Sequence, residues 1–287
     1  MATILLQGPP GSGKTTMIAK TAVNRPVHFL DIDRKLSAME NIQQELKDGS
    51  VTFWEIDDPL VEESLRDRLT RLTSNQKPAK PPMGWNNFAK CVDRLTTDPV
   101  AKAAKTWAID SATHLAMHLD RVILFSDPAG TSNFSPKNWG SFLKMWQETI
   151  TILRDEARAA SKDLIITVHE KPYEVPLANT RVVYDDKNIR SFVGMLDLRV
   201  AASIGGQFAN EMGSYFEEVY GLSVKIVNGK PEWICRVRPD GKRDLRTSHN
   251  VDKDEYPPDF GIISGKKGGS TAVPASLNPR FPPPSKA

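Results

Sequence analysis

The chain of 287 residues carries only two cysteines, Cys91 and Cys235, in no CxxC pair and near no histidine pair. That argues against a disulfide framework or a structural zinc site and suits a reducing compartment. No apolar run approaches the roughly 18 residues that span a bilayer. The N-terminal stretch Met1-Ala2-Thr3-Ile4-Leu5-Leu6 has neither a basic segment nor a cleavage site and runs straight into a glycine turn. It reads as a strand rather than a signal peptide, which makes a cytoplasmic setting the expectation, with no membrane partner. The formal charge of +3 is too small to demand a nucleic-acid partner. It does not exclude one, because binding depends on where Lys and Arg sit. An N-K-x-D guanine motif is absent, which disfavours a GTPase, and no solenoid-type repeat is present.

What is present is an ordinary globular composition, 39% apolar and 25% charged. Strand and helix patterns alternate through the first 170 residues or so, predicting an α/β fold with a mostly parallel sheet flanked by helices. Strands are expected at Ile4–Leu6, Val27–Asp33, Val51–Ile56, Thr106–Asp110 and Leu164–Val168. Leu60, Leu65, Leu69 and Leu72 recur at helical spacing, and 74–83 is a proline-rich breaker segment. A helix is expected over about Asn86–Leu95. Trp139, Phe142, Leu143, Trp146, Ile150, Leu153 and Ala157 mark one face of a long helix. After residue 190 the pattern changes to period two, in Met195–Ala202 and in two runs flanking Asn228-Gly229. That dipeptide suits a type I′ hairpin, which needs positive φ at both central residues. The C-terminal third is therefore expected to add antiparallel strands. Residues 1–264 read as one domain with an insertion at 74–104, followed by a basic, Pro- and Gly-rich tail, 265–287, expected to be disordered.

The segment Gly8-Pro9-Pro10-Gly11-Ser12-Gly13-Lys14-Thr15-Thr16 matches G-x-x-x-x-G-K-[ST], between an apolar strand and a helix. Glycines let consecutive amides turn towards polyphosphate oxygens without a Cβ in the way. Lys14 would reach the β- and γ-phosphates of ATP, and the Thr15 hydroxyl would ligate Mg²⁺. A second acidic ligand is expected at the end of a neighbouring apolar strand. Asp110, ending Thr106-Trp107-Ala108-Ile109-Asp110, supplies it, although Asp and Ser here also suit a helix N-cap.

Four segments in order, GPPGSGKTT (8–16), HFLDID (28–33), WAIDSATHL (107–115) and IITVHEK (165–171), resemble the RecA/RadA superfamily over about residues 1–262. Among its members they are similar to phage-encoded RecA-like P-loop ATPases of the single-strand annealing recombinase type. The resemblance implies that Asp33 matches the acidic residue that positions the attacking water. The family has Glu there, and Glu55 is the other acidic residue in reach of that role. It implies that His169 matches the γ-phosphate sensor, where RecA itself carries an amide. Cations of the basic hairpin 236–246, Arg243 and Arg246 foremost, would reach the γ-phosphate held by a neighbouring subunit, as an arginine finger does.

The resemblance also implies single-stranded DNA on two loops, about 125–139 and 170–190. The first carries Lys137 and Trp139; the second carries Lys171, Tyr173, Arg181, Tyr184, Lys187 and Arg190. Cations for phosphates and flat rings for unstacked bases suit a single strand. Self-association into a ring or filament follows from the same resemblance, with a single-strand-binding protein as a further partner. Two other readings stay open: a helicase- or packaging-related motor, and a P-loop kinase using 74–104 as its lid.

Overall fold

The computed structural model describes residues 1–58, 81–127, 134–176, 181–184, 190–193, 196–203 and 211–265. The leucine-spaced segment 60–72, most of the 74–83 breaker and the tail beyond 265 lie outside the described residues, as does Lys187.

In chain order the first half comprises β1 (Thr3–Gly8), α1 (Lys14–Lys20), β2 (Val27–Asp31), α2 (Gln43–Lys47) and β3 (Val51–Glu55). Then come α3 (Gly84–Arg94), α4 (Pro99–Ala103), β4 (Thr106–Asp110), α5 (Ala112–Ser126) and α6 (Pro136–Ala159). The second half is strand-rich: β5 (Asp163–Pro176), β6 (Arg181–Tyr184), β7 (Arg190–Val193), β8 (Leu196–Ala202), β9 (Glu218–Val227), β10 (Lys230–Arg236) and β11 (Glu255–Tyr256). A short α7 (Phe260–Ser264) ends the described chain, capped by the Asp259 carboxylate.

The main sheet runs β11-β10-β9-β1-β5-β4-β2-β3, with β8 joined to the far end of β5. The strands from β9 across to β3 are mutually parallel. The antiparallel additions are β10, β11 and β8. One detail departs from the sequence expectation: β9, the first arm of the C-terminal hairpin, pairs in parallel with β1. The hairpin itself forms as its turn chemistry dictates, with φ of 51° at Asn228 and 75° at Gly229.

Period-two alternation divides the core between the two faces of this sheet. Leu5, Trp107, Ile109, Leu164, Ile166 and Val168 pack on the side of α3, α5 and α6. Their neighbours Ile4, Leu6, Ala108 and Ile165 pack on the side of α1, with Met17 and Ile18. Helix α6 starts at Pro136, with Ser135 as N-cap accepting from the Asn138 amide at 3.2 Å. It buries Phe142, Trp146, Ile150, Leu153 and Ala157, the stripe its spacing predicts, and leaves Trp139 40% exposed. The described part of the 74–104 insertion is not an isolated lid. Phe88 of α3 enters the core, and the Asp58 carboxylate accepts from the Met83 and Gly84 amides and from Arg121.

Two glycines predict opposite responses to alanine. A Cβ on Gly8 would lie 2.5 Å from the Leu222 carbonyl oxygen of β9 and 2.7 Å from Ser12 Oγ, whereas one on Gly140 in α6 meets nothing within 4 Å. Gly8→Ala should therefore lower stability by about 1–3 kcal/mol, as overpacking does. Gly140→Ala should raise it by about 0.5–1 kcal/mol, from helix propensity. Chemical denaturation midpoints check both, and equal shifts in the two variants would contradict the packing described.

Candidate functional site

The phosphate loop follows β1 and ends at α1. Gly11 and Gly13 take left-handed φ of 77° and 89°, and a Cβ on Gly11 would meet nothing within 4 Å. A Cβ on Gly13 would come within 3.1 Å of Trp233 Cδ1 on β10. The turn is closed by the Ser12 amide on the Pro9 carbonyl and the Met17 amide on the Gly13 carbonyl. Lys14 is buried, and its Nζ donates to the Gly8 carbonyl at 2.7 Å and the Pro9 carbonyl at 2.9 Å. Burial pushes its pKa down to about 8, against the opposing pull of Asp110. An ammonium so placed gains on meeting a polyphosphate. The loop lines an open cleft of about 580 Å³, with Lys14, Thr15, Thr16, Lys35, Met39, Asn41, His169, Trp233 and Pro258 in its wall.

Topology brings the acidic and sensor positions to this loop. Strand β5 lies between β1 and β4, so His169 stands opposite Gly8 in the parallel register. Asp110, at the end of β4, is fully buried. Its Oδ2 accepts from Thr15 Oγ1 and its Oδ1 from Thr167 Oγ1, each at 2.6 Å. The peptide between Asp110 and Ser111 is cis. A hydroxyl beside a carboxylate is a hard oxygen pair of the kind Mg²⁺ takes when phosphates complete its shell. Among the described residues no cluster of three or more His, Cys, Asp or Glu could hold a metal by itself, so phosphate oxygens would have to share an ion held here.

Asp33 lies beside this pair. Its Oδ2 accepts from Lys35 Nζ at 2.7 Å, and its Oδ1 from Ser111 Oγ at 2.9 Å and faces His114 Nδ1 at 2.6 Å. Burial would raise its pKa, but the hydrogen bonds and charges of His114 and Lys35 outweigh that and hold it well below the usual carboxylate range. Glu55 is elsewhere: exposed, on β3 at the sheet edge, accepting from Ser37 Oγ. His169 donates its amide to Thr113 Oγ1 at 2.9 Å, and its ring meets His114 edge-on at 5.8 Å. Burial and then the Lys14 charge lower its pKa, keeping the imidazole neutral.

The hairpin cations differ from one another. Arg243 is bidentate on Glu170, Nε at 2.7 Å and Nη2 at 3.0 Å, with Nη1 on Asp240 at 2.7 Å. Arg246 is exposed, its backbone bridged to Val219 and its guanidinium donating to the Gly213 carbonyl. Lys137 and Trp139 occupy the first turn of α6, exposed, with the Phe134 ring tilted against Trp139 at 4.7 Å. The 170–190 segment is not the loop expected: β5 continues through Lys171 and Tyr173 to Pro176, and β6 carries Arg181 and Tyr184 opposite Val193 and Arg190.

Sequence reasoning missed Lys35, His114, Thr167, Asn41 and Trp233. Asn41 Nδ2 donates to Thr16 Oγ1 at 2.8 Å, and Trp233 lies against Gly13. His114 lies in the first turn of α5, three residues after the Ser111 N-cap, and that place just past the acidic strand is the one signal that could have found it.

A glycine loop leading into α1, with the buried acidic strand β4 separated from β1 by β5, defines a P-loop nucleoside triphosphatase with a RecA-like core. The AAA domain family (AAA_24) matches residues 1–250, and the chain belongs to it. A KaiC-like protein, PH0186, from Pyrococcus horikoshii OT3 is 15% identical, with 89% of this chain and 84% of that one covered, at a TM-score of 0.44. The flagellar accessory protein FlaH of Methanocaldococcus jannaschii is 11% identical, with 82% and 76% covered, at 0.35. No curated protein matches the sequence.

The His114–Asp33 contact predicts a pH dependence. Asp33 raises the His114 pKa above 6.5. The stabilisation is thus fully present below the unfolded value and is lost as pH rises through the folded one. The stability gap between wild type and His114→Gln should be widest below pH 6.5 and narrow as the pH rises above it. Thermal melts over a pH series measure it, and a gap that does not vary with pH would contradict the contact.

Proposed function

We propose that the chain hydrolyses ATP with Mg²⁺ and couples hydrolysis to single-stranded DNA, as a self-associating RecA-like ATPase of recombination, annealing or repair in phage-type systems. A cytoplasmic location, the host's if the chain is phage-encoded, goes with that reading. The observation that carries the ATPase reading is the meeting of Thr15 and Thr167 on the two oxygens of Asp110. It ties the phosphate loop, the acidic strand and the sensor strand into one unit. In this reading Thr15 and Asp110 hold Mg²⁺, which neutralises charge on the β- and γ-oxygens. Lys14 closes on the same phosphates. Asp33 is too weak a base to abstract a proton early. It suits orienting water for a loose phosphoryl-transfer transition state, in which positioning does most of the work. His169, neutral and opposite Gly8, reports the γ-phosphate.

Support for coupling comes from β5, which runs unbroken from the nucleotide end of the sheet at His169 out to Pro176, where β8 pairs with it. A shift at His169 is thereby transmitted along a strand carrying Lys171 and Tyr173. Lys137 and Trp139 add an exposed cation and ring for phosphate and base. With Arg243 held by Glu170 in its own chain, Arg246 and Lys242 are the hairpin cations left to serve a neighbouring subunit's phosphates.

Hydrolysis measured with and without a single-stranded oligonucleotide tests both halves. Lys14→Ala should lower turnover by about 10²–10³-fold, and single strands should raise wild-type turnover. Trp139→Ala should weaken oligonucleotide retention by about tenfold, the scale of one lost base stack. Turnover unmoved by DNA, with no retention at low salt, would reject the DNA role and leave the ATPase; stimulation by duplex alone would favour a motor. Unchanged turnover in Lys14→Ala would reject the ATPase reading.

A further inference from the structure

Two lysines line the cleft, and the phosphate-loop motif explains only Lys14. Lys35 lies outside that loop, on the segment after β2. Its Nζ is 2.7 Å from Asp33 Oδ2 and 3.3 Å from Asp110 Oδ2, the same oxygen that takes the Thr15 hydroxyl. Its side chain remains 36% exposed, on a long flexible stem. A lysine serving only as a counter-ion for two carboxylates could be buried with them. This one stands at the mouth of the cleft.

We propose that Lys35 is a second phosphate-binding ammonium, acting in cis on the γ-phosphate, so that it discriminates the triphosphate from the diphosphate. The inference rests on the nucleotide-site reading above. Position along the cleft decides which phosphate it meets. Lys35 shares Asp110 Oδ2 with the Thr15 hydroxyl and Asp33 lies beside them, whereas Asn41 meets Thr16. A Mg²⁺ held by Thr15 and Asp110 would neutralise phosphate charge there and Asp33 would orient the attacking water, which puts Lys35 beside the γ-phosphate. Charge balance points the same way. A cation held by Thr15 and Asp110 would take over the charge that Lys35 now balances on Asp110, and the ammonium, still tethered by Asp33, would be left to face added negative charge. Burial would lower the Lys35 pKa, but Asp110 and Asp33 outweigh it and keep the group charged. A cation supplied from the same chain also accounts for an active subunit whose Arg243 is engaged by Glu170.

The test is equilibrium binding of fluorescent ADP and of a fluorescent non-hydrolysable ATP analogue, each with Mg²⁺, to the full chain. Wild type should prefer the triphosphate. Lys35→Met should reduce that preference about tenfold, the loss of one charge-assisted contact, with ADP affinity changed less than about twofold. Lys35→Arg, which keeps the cation, should restore most of it. The double variant Asp33→Asn/Lys35→Met separates contact from charge balance. If Lys35 touches phosphate, the preference stays low there; if Lys35 only neutralises Asp33, it returns. A preference unchanged in Lys35→Met, or restored in the double variant, overturns the proposal. Failure of wild type to bind either nucleotide, or Lys14→Ala binding as well as wild type, would instead overturn the site reading beneath it. Melting temperatures of each variant identify any that do not fold.

Discussion

The Asp110 carboxylate is the constraint on which the rest depends. It has no solvent exposure, and a buried carboxylate is tolerable only with its oxygens fully bonded. Thr15 from α1, Thr167 from β5 and Lys35 from the segment after β2 supply those bonds. Each partner comes from a different part of the chain, so satisfying one charge fixes the phosphate loop, the central strand and the cleft wall relative to one another. That relation holds only because β5 inserts between β1 and β4, putting Thr167 one strand away from both.

Around that carboxylate the charges are close to balanced but poorly solvated. The carboxylates of Asp33 and Asp110 are met by Lys14, Lys35 and the His114 ring, whose pKa Asp33 raises. Asp31, fully buried at the end of β2, has its pKa pushed up to about 6 by burial. Lys14, with a pKa near 8, is the least comfortable of the cations. A site that holds its ammonium groups in a half-desolvated state is preorganised for a polyanion and needs little rearrangement to accept one.

Much of this was legible in the sequence where the determinants are local. The glycine loop, the strand ending at Asp110, the stripe of α6 and the Asn228-Gly229 turn each follow from a few neighbouring residues. The approach of Asp33 to the acidic strand was legible only through resemblance. What the sequence did not disclose is what strand order creates. Lys35 and Asp110 are 75 positions apart, and Thr167 reaches Asp110 across 57. No periodicity marks such pairs. Trp233 reads as a hairpin residue and becomes a wall of the phosphate loop only because β9 pairs in parallel with β1. The second DNA segment was expected to be a loop only because the resemblance implied one after the strand ending near His169. In the fold it lies at the edge of β5 beyond the parallel core, where β8 is its partner.

The most direct test of the central claim is the Mg²⁺ dependence of nucleotide affinity in Asp110→Asn, measured on protein shown by its melting curve to be folded. An amide cannot accept from both hydroxyls and carries no charge for a cation. Wild-type affinity should tighten as Mg²⁺ is added, while the variant should bind nucleotide with an affinity that metal leaves nearly unchanged. A folded variant whose affinity still tightens with Mg²⁺ as the wild type's does would contradict the account.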